Sequence, residues 1–304
     1  MTAPTASPRP PRVLVVTKTT RYQQLILEQH DEHVASLIAA GDISVAQLER
    51  AHAAHERSLA SVLATLAAHG LEHSSHTREE LSDALIAACD LVVVVGGDGT
   101  VLDLSHRVTD TPVLAINSDP STSVGYFCAG AADAFEGLLQ RTLSGTWAPR
   151  QLARFSVSIN DELHTSPVLN DILIAHTNPA AVSSYILRVD DHEEVQRSSG
   201  IWIATPAGST AAIRSAGGYV LSLNSDMVQF LVREPYPPRK GSYRLVKGLR
   251  PASSTIEIIS KMSHGAIYMD GPHISYPFQI GDRLRIHCDA PKLRLYGLDE
   301  SHRT

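Results

Sequence analysis

Apolar and polar positions change texture along the chain. Val13 to Val16 is a short β-branched run, the pattern of a buried strand. From about Ser44 to His69, the residues Val45, Leu48, Leu59, Val62, Leu63 and Leu66 recur at helical spacing. Ser44 stands where a cap would start that helix, and Gly70 lies just past its end. A shorter helix is predicted over about Arg78 to Ala88. Leu91 to Val95 is apolar at every position, which predicts a strand covered on both faces and hence a parallel sheet between helices. Gly96-Gly97-Asp98-Gly99-Thr100 follows at once, then a helical stretch from Val101 to Val108 and a strand from Val113 to Ile116. This β, α, β, α, β order predicts a doubly wound, Rossmann-like α/β domain.

After a predicted helix at about Ala134 to Leu143, strand-like alternation takes over. Strands are expected at Phe155 to Ile159, Val168 to Ile174, Tyr185 to Val189, Ile201 to Ala204, Thr255 to Ile259, Ala266 to Met269, Leu284 to His287 and Leu293 to Tyr296. Turns at Asn160-Asp161 and Asp190-Asp191 separate several of them, and one helix starts near Ser209. The expected division is a disordered tail over 1–12, an α/β domain over 13–128, a mostly-β domain over 129–290 and a closing strand and tail over 291–304. The sequence leaves open whether that closing strand returns to the first domain.

Composition narrows the class. The 304 residues are 43% hydrophobic and 19% charged, enough for two buried cores and unlike a disordered chain. The net charge of −6, with Lys and Arg scattered, argues against a nucleic-acid partner. Cys89, Cys128 and Cys288 are odd in number and too far apart for CxxC metal pairs, so free thiols in a reducing compartment are expected. Apolar runs are too short to span a membrane, and Met1 to Arg12 lacks the apolar core of a secretory signal. A cytoplasmic protein with no membrane partner is the expectation. His69, His73 and His76 lie close together, but the segment reads as a polar loop without a Cys or carboxylate pattern, and no protein metal site is expected.

Three segments carry candidate chemistry. In Gly96 to Thr100 the glycines let backbone N–H groups approach phosphate oxygens, at the end of a parallel strand where open α/β sheets bind ligands. A carboxylate there is the unusual element: Asp98 can hold Mg²⁺ or accept the proton of an attacking hydroxyl, or it simply caps the helix. No GK[ST] follows, so this is not a Walker A loop. Gly200 to Gly218, GIWIATPAGSTAAIRSAGG, reads as strand, small-residue loop, helix start and glycine-rich turn. Its loop from Thr205 to Thr210 offers amides and hydroxyls against which a nucleotide can lie. Asn170-Asp171 interrupts an apolar strand, and buried polar groups need partners. The pair suits a ribose diol or an adenine edge, or else marks an edge-strand bulge. Lys18, after the first strand, either reaches a phosphate or is solvated.

These three elements, in this order, resemble the NAD kinase family. GGDGT is shared with diacylglycerol, sphingosine and phosphofructo-kinases, while the other two elements separate the chain from them. Asn170-Asp171 stands where most NAD kinases have Asn-Glu, and TPAGSTAAIRSAGG where they have TPTGSTAY followed by SAGG. Met269-Asp270-Gly271 and Gly281-Asp282 are similar to the family's late hairpin elements. Ala207 replaces a Thr, Ala212 replaces a Tyr, and Asn117-Ser118-Asp119-Pro120 stands where an NTG turn is usual. NSDP, LNDILIAH, AGSTAA and LVREP are closer to the plant-type NADH kinase branch. The similarity runs from about Leu91 to Tyr296.

The resemblance implies a nucleotide-binding first domain, a substrate-binding second domain, and transfer of the ATP γ-phosphoryl group to the adenosine ribose 2′-hydroxyl of NAD⁺ or NADH. Asp98 would be the general base, and Gly96, Gly97, Gly99 and Thr100 would hold the ATP phosphates. Asn117, Asn170, Asp171, Thr205, Ser209, Thr210, Ala211 and Ser215 would line the substrate pocket. Mg²⁺ would ride on the nucleotide, and the family's habit implies a homodimer or larger homo-oligomer. The rivals are a lipid kinase of the diacylglycerol or sphingosine type and a non-catalytic NAD(H) or ATP sensor.

Overall fold

A computed structural model describes residues 9–238 and 241–298, so most of the expected tail over 1–12 and the last residues of 291–304 lie outside the described residues. The chain divides into two compact units. Of the described residues, unit 1 holds 9–104, 111–150 and 294–298, and unit 2 holds 105–110 and those within 151–293.

Unit 1 is built on a parallel sheet. Its strands are β1 (Val13–Thr17), β2 (His73–Thr77), β3 (Leu91–Gly96), β4 (Val113–Asn117) and the two-residue β5 (Gly130–Ala131). Every residue of β1, β3 and β4 is buried, as unbroken apolar runs demand when both faces are covered. The spatial order β2-β1-β3-β4 reverses direction at β1, so the β1 and β3 carboxyl ends flank the switch point where open α/β sheets bind ligands. The helices are α1 (Glu32–Ala39), α2 (Leu48–Ala68), α3 (Asp83–Ala87), α4 (Asp98–Ser105) and α5 (Phe135–Leu143). Val62 and Leu66 of α2 and Phe135 and Leu139 of α5 are fully buried in the core with Val15, Val93 and Leu114.

Local chemistry corrects several expected boundaries. Ser44 does not cap α2: its hydroxyl donates to Asp42 at 2.6 Å, and α2 begins at Leu48. The helix expected over Arg78 to Ala88 is a 3₁₀ turn at Arg78–Glu80, closed by a Thr77–Glu80 capping box, and then α3, capped by Ser82. The histidine-rich segment expected as loop is β2, a polar edge strand paired in parallel with β1 from His73↔Val13 to Thr77↔Thr17. A polar strand gives no apolar period to read, and that polarity suits an exposed edge.

Unit 2 stacks two antiparallel sheets. The first runs β10 (His192–Ser198), β9 (Ser183–Val189), β14 (Ile256–Ser260), β17 (Arg283–Tyr296), β6 (Arg150–Ile159), β7 (Glu162–Val168). The second runs β13 (Lys247–Pro251), β12 (Met227–Arg233), β11 (Gly200–Ala204), β8 (Asp171–His176), β15 (Gly265–Met269), β16 (Ile274–Phe278). Phe155, Tyr185, Leu187, Ile203, Phe230 and Ile267 are among the residues that fill the core between them. The burial of β9 alternates strictly, the period-two pattern that announced it. Asn160, Asp161 and Asp190 sit at positive φ of 52°, 68° and 52°, as tight hairpin turns require. The two strands expected at Leu284 to His287 and Leu293 to Tyr296 are one strand, β17. Its last residues belong to unit 1, where Leu295 and Tyr296 pair in parallel with Val113 and Leu114 of β4. Among the described residues no helix is long and apolar enough to cross a membrane.

Candidate functional site

In unit 1 the glycine-rich loop closes β3 and opens α4, with Asp98 already the first helical residue. A Cβ on Gly96 would overlap the buried Thr100 side chain, and one on Gly97 would come within 3.2 Å of Ser123 Oγ. Nothing lies within 4 Å of the Cβ position of Gly99, so open space adjoins the loop. The Asp98 carboxylate accepts from the backbone N–H of Tyr126 at 3.1 Å and of Phe127 at 2.8 Å, one on each oxygen. These bonds fix its direction and leave each oxygen a further lone pair for a ligand proton.

Asn117 ends β4 and organises the loop that reaches Asp98. Its Nδ2 donates to Ser123 O at 2.9 Å, and its Oδ1 accepts from Asp119 N at 3.1 Å. Its side chain packs so closely against Gly125 that a Cβ there would lie 2.6 Å from Nδ2, and Gly125 has φ +65°. Asn117 is thus a buried organiser of the loop. Sequence reasoning passed over Asp119, which accepts from Ser121 N at 3.2 Å and from the Thr122 hydroxyl at 2.7 Å. Burial pushes this carboxyl up, but the Ser121 and Thr122 hydrogen bonds and the Lys18 charge outweigh it and hold it below its usual range. Burial pushes Lys18 down, against the pull of Asp119. Lys18, Arg21, Tyr22, Gln47, His52 and Thr122 are among the residues lining a cavity of about 300 Å³. The Ser118 hydroxyl is buried with no partner among the described residues. Cys128, pushed up to about 12 by burial and then by the Asp98 charge, stays a thiol.

In unit 2, Asn170-Asp171 does not interrupt a strand. It turns the chain from β7 into β8, and the small-residue loop lies directly on it. Thr205 N donates to Asn170 O at 3.0 Å, and a Cβ on Gly208 would overlap the Asn170 backbone. The hydroxyls of Thr205 and Ser209 make their hydrogen bonds within the loop and its immediate neighbours. The fully buried Thr205 hydroxyl donates to Leu169 O and accepts from Gly208 N at 3.1 Å. The Ser209 hydroxyl, also fully buried, donates to Pro206 O at 2.7 Å and accepts from Leu221 N at 2.9 Å. Thr205 and Ser209 therefore hold the loop's shape. Thr210 and Ala211 are half-buried, and Ser215, at the end of α6 (Ala212–Ser215), is exposed.

Asn170 Oδ1 is buried without a partner among the described residues. Asp171 is 5% exposed. Burial, then the neighbouring Asp270, push its carboxyl up to about 7. An orphaned acceptor next to so enclosed a carboxyl marks a place for a ligand with hydroxyl or amino donors.

The profile of the ATP-NAD kinase N-terminal domain matches residues 13–146. A rice protein named "Probable NADH kinase" is 37% identical over 263 residues, covering 79% of this chain and 81% of its own. The NADH kinase of Arabidopsis thaliana is 35% identical over 243 residues, covering 72% and 76%. In fold, the chain is similar to an Archaeoglobus fulgidus NAD kinase solved in complex with ATP, at TM-score 0.68 and 22% identity over 96% of both chains. It is also similar to yeast NADH kinase complexed with NADH, at TM-score 0.67 and 20% identity over 97% of this chain and 86% of that one. With a fold of this kind and identity above one third to plant NADH kinases across most of both chains, the protein belongs to the NAD kinase family.

Proposed function

We infer that this protein is an NAD(H) kinase, which moves the ATP γ-phosphoryl group onto the 2′-hydroxyl of the adenosine ribose and forms NADP⁺ or NADPH. The observation that carries the reading is a carboxylate held by two main-chain amides inside a glycine-rich strand-to-helix loop at a switch point, in a chain more than a third identical to a plant NADH kinase. Asp98 accepts the proton of the attacking hydroxyl. Gly96, Gly97, Gly99 and Thr100 present amides to the ATP phosphates, and Lys18, on the loop beside them, offers a positive charge. Phosphoryl transfer demands positioning and charge neutralisation more than covalent help, which is what amides and a lysine supply. Mg²⁺ rides on the phosphates and neutralises the transferring group.

Asn170 and Asp171 take hydrogen bonds from the dinucleotide, and the loop from Thr205 to Ala211 walls the pocket. Asn117 acts through the loop that orients Asp98, and Ser215 lies at the rim. NADH is the preferred acceptor, on the identity to plant NADH kinases. The enzyme works in the cytoplasm as a homodimer or larger, supported by its three free thiols and by the family's habit. Initial rates with Mg-ATP and matched NAD⁺ and NADH test the reading. Faster NADPH formation supports it in full. Faster NADP⁺ formation overturns the preference alone, and no product from either substrate overturns the kinase.

A further inference from the structure

Within unit 2 one buried carboxylate is held by the very turn that carries the proposed substrate contacts. Asp270 follows β15, which pairs with β8 so that Met269 faces Ile172, and its own N–H donates to Asp171 O at 2.9 Å. Its side chain is 0% exposed. Oδ2 accepts from Leu169 N at 2.8 Å, and Oδ1 accepts from Asn170 N at 2.6 Å and Asp171 N at 3.1 Å. Three consecutive amides thus converge on one carboxylate. Burial pushes the Asp270 carboxyl up, against the pull of His106 and of the three amides, and the hydrogen bonds fix the φ and ψ of the residues that donate. His106 faces it from the other side, with Nε2 3.6 Å from Oδ2 and Nδ1 2.8 Å from Pro167 O. A carbonyl only accepts, so Nδ1 carries the hydrogen and the ring is oriented by the same strand end. The fully buried Arg154 also feels the Asp270 charge.

We propose that Asp270 is a positioning residue for the dinucleotide: its carboxylate clamps the Leu169–Asp171 turn so that Asn170 and Asp171 present their side chains to the substrate. The proposal rests on the NAD(H) kinase reading. The turn's other anchors come from the small-residue loop: Thr205, which bonds the carbonyls of Leu169 and Asn170, and Gly208, which packs on Asn170. The turn's three amide donors thus fall to the Asp270 carboxylate, and the carbonyls of Leu169 and Asn170 fall to Thr205. The Asp270 charge also lies beside Asp171 and helps keep that carboxyl high.

The test is Asp270→Asn, with KM and kcat measured for NADH and for ATP across pH 5.5 to 9. Asparagine keeps one acceptor oxygen but turns an NH₂ toward the amides, so two or fewer of the clamp bonds survive. KM for NADH should rise about ten- to a hundredfold, as expected for lost charge-assisted bonds, while KM for ATP stays within about twofold. The acidic limb of kcat/KM for NADH should also move to lower pH, because Asp171 loses its negative neighbour; His106 and Arg154, which face Asp270, lose the same negative neighbour. An unmoved limb, or equal losses for both substrates in step with a fall in melting temperature, overturns the proposal. If Asp270→Asn does not fold, Asp270→Glu keeps the charge and displaces the clamp. A raised KM for NADH with the limb in place supports positioning, and parent-like constants overturn it. An inactive parent enzyme would instead overturn the kinase reading.

Discussion

Replacing Asp171 by asparagine separates what this carboxylate does for binding from what it does to stability. Burial, then the neighbouring Asp270, raise the folded-state pKa to about 7 from a reference of 3.8. A folded acid with a raised pKa binds its proton more tightly than the unfolded chain does. The penalty is therefore absent below about pH 4, grows as the pH rises toward 7, and is complete above it. A shift of about three units corresponds to a ceiling of about 4 kcal/mol, and local relaxation around the ionised group lowers what is measured. An asparagine at this position carries no such penalty. At pH 8 the variant should be more stable than the parent by about 2 kcal/mol, which raises the melting temperature by about 3 °C in a chain of 304 residues. At pH 4.5 the two should melt within a degree or so of each other. Activity should move the other way, with kcat/KM for NADH falling about 10²-fold as the charged acceptor is lost. Thermal melts at the two pH values and initial rates at pH 8 decide it. A variant less stable than the parent at pH 8, or a melting difference that does not depend on pH, would refute the reasoning.

Asp98→Asn should keep the fold, since one oxygen still accepts a backbone N–H, and should lower kcat by about 10²- to 10⁴-fold at unchanged KM for ATP; a near-normal kcat would remove Asp98 as the base. Gly208→Ala drives a methyl into the Asn170 backbone, so it should destabilise by about 1–3 kcal/mol and raise KM for NADH, and a parent-like melt would show that the loop is not packed as described. Lys18→Met should raise KM for ATP about tenfold and leave KM for NADH unchanged, as steady-state titration of each substrate would show. His55, pushed down to about 4 mainly by burial, is neutral when folded, so the native state should lose stability as the pH falls from about 6.5 toward 4; His55→Gln should flatten that part of the pH–stability curve.

Much of this was legible in the sequence, for reasons that differ by element. The buried strands β1, β3 and β4 announce themselves because a sheet covered on both faces leaves no place for a polar residue. β9 and β14 show through alternation or apolar density. The edge strands β2, β10 and β13 do not, because their sequences HSSHT, HEEVQRS and KGLRP serve solvent on at least one side. β12 is equally hidden although MVQFLVR is apolar, because the buried Gln229 breaks the run; its amide instead bonds the backbone of Tyr219 at 2.9 and 2.8 Å. At the site, glycines and Asp98 stand out by composition, and Asn170-Asp171 by polarity in an apolar setting. Asp270 does not, because an Asp-Gly after a strand reads as an ordinary turn. Its role depends on β15 lying beside β8, a contact between residues about a hundred positions apart. The hydroxyls of Thr205 and Ser209 looked available in the sequence and are spent in the fold, since a tight loop must satisfy its own amides and carbonyls first.

The polar groups enclosed in unit 2 bear on which substrates it can select. An acceptor such as Asn170 Oδ1, buried and unpaired among the described residues, and a carboxylate as enclosed as Asp171 are costly until a donor arrives. A ligand with two hydroxyls in reach relieves both, whereas an analogue lacking one leaves a buried acceptor without a partner. Discrimination of this kind is asymmetric. Sites built to hydrogen-bond a hydroxyl reject its absence by about 10⁴-fold, while apolar pockets separate substrates differing by a methylene by only about 10- to 200-fold. A lipid kinase acting on an acyl-chain alcohol has to draw its selectivity from the second kind of contact. The Asn170-Asp171 turn offers the first kind, which suits a ribose diol. Competition assays with the 2′- and 3′-deoxyadenosine dinucleotides should therefore show binding losses of several kcal/mol. Comparable affinity for the 3′-deoxy compound would mean that Asn170 and Asp171 face something other than the ribose.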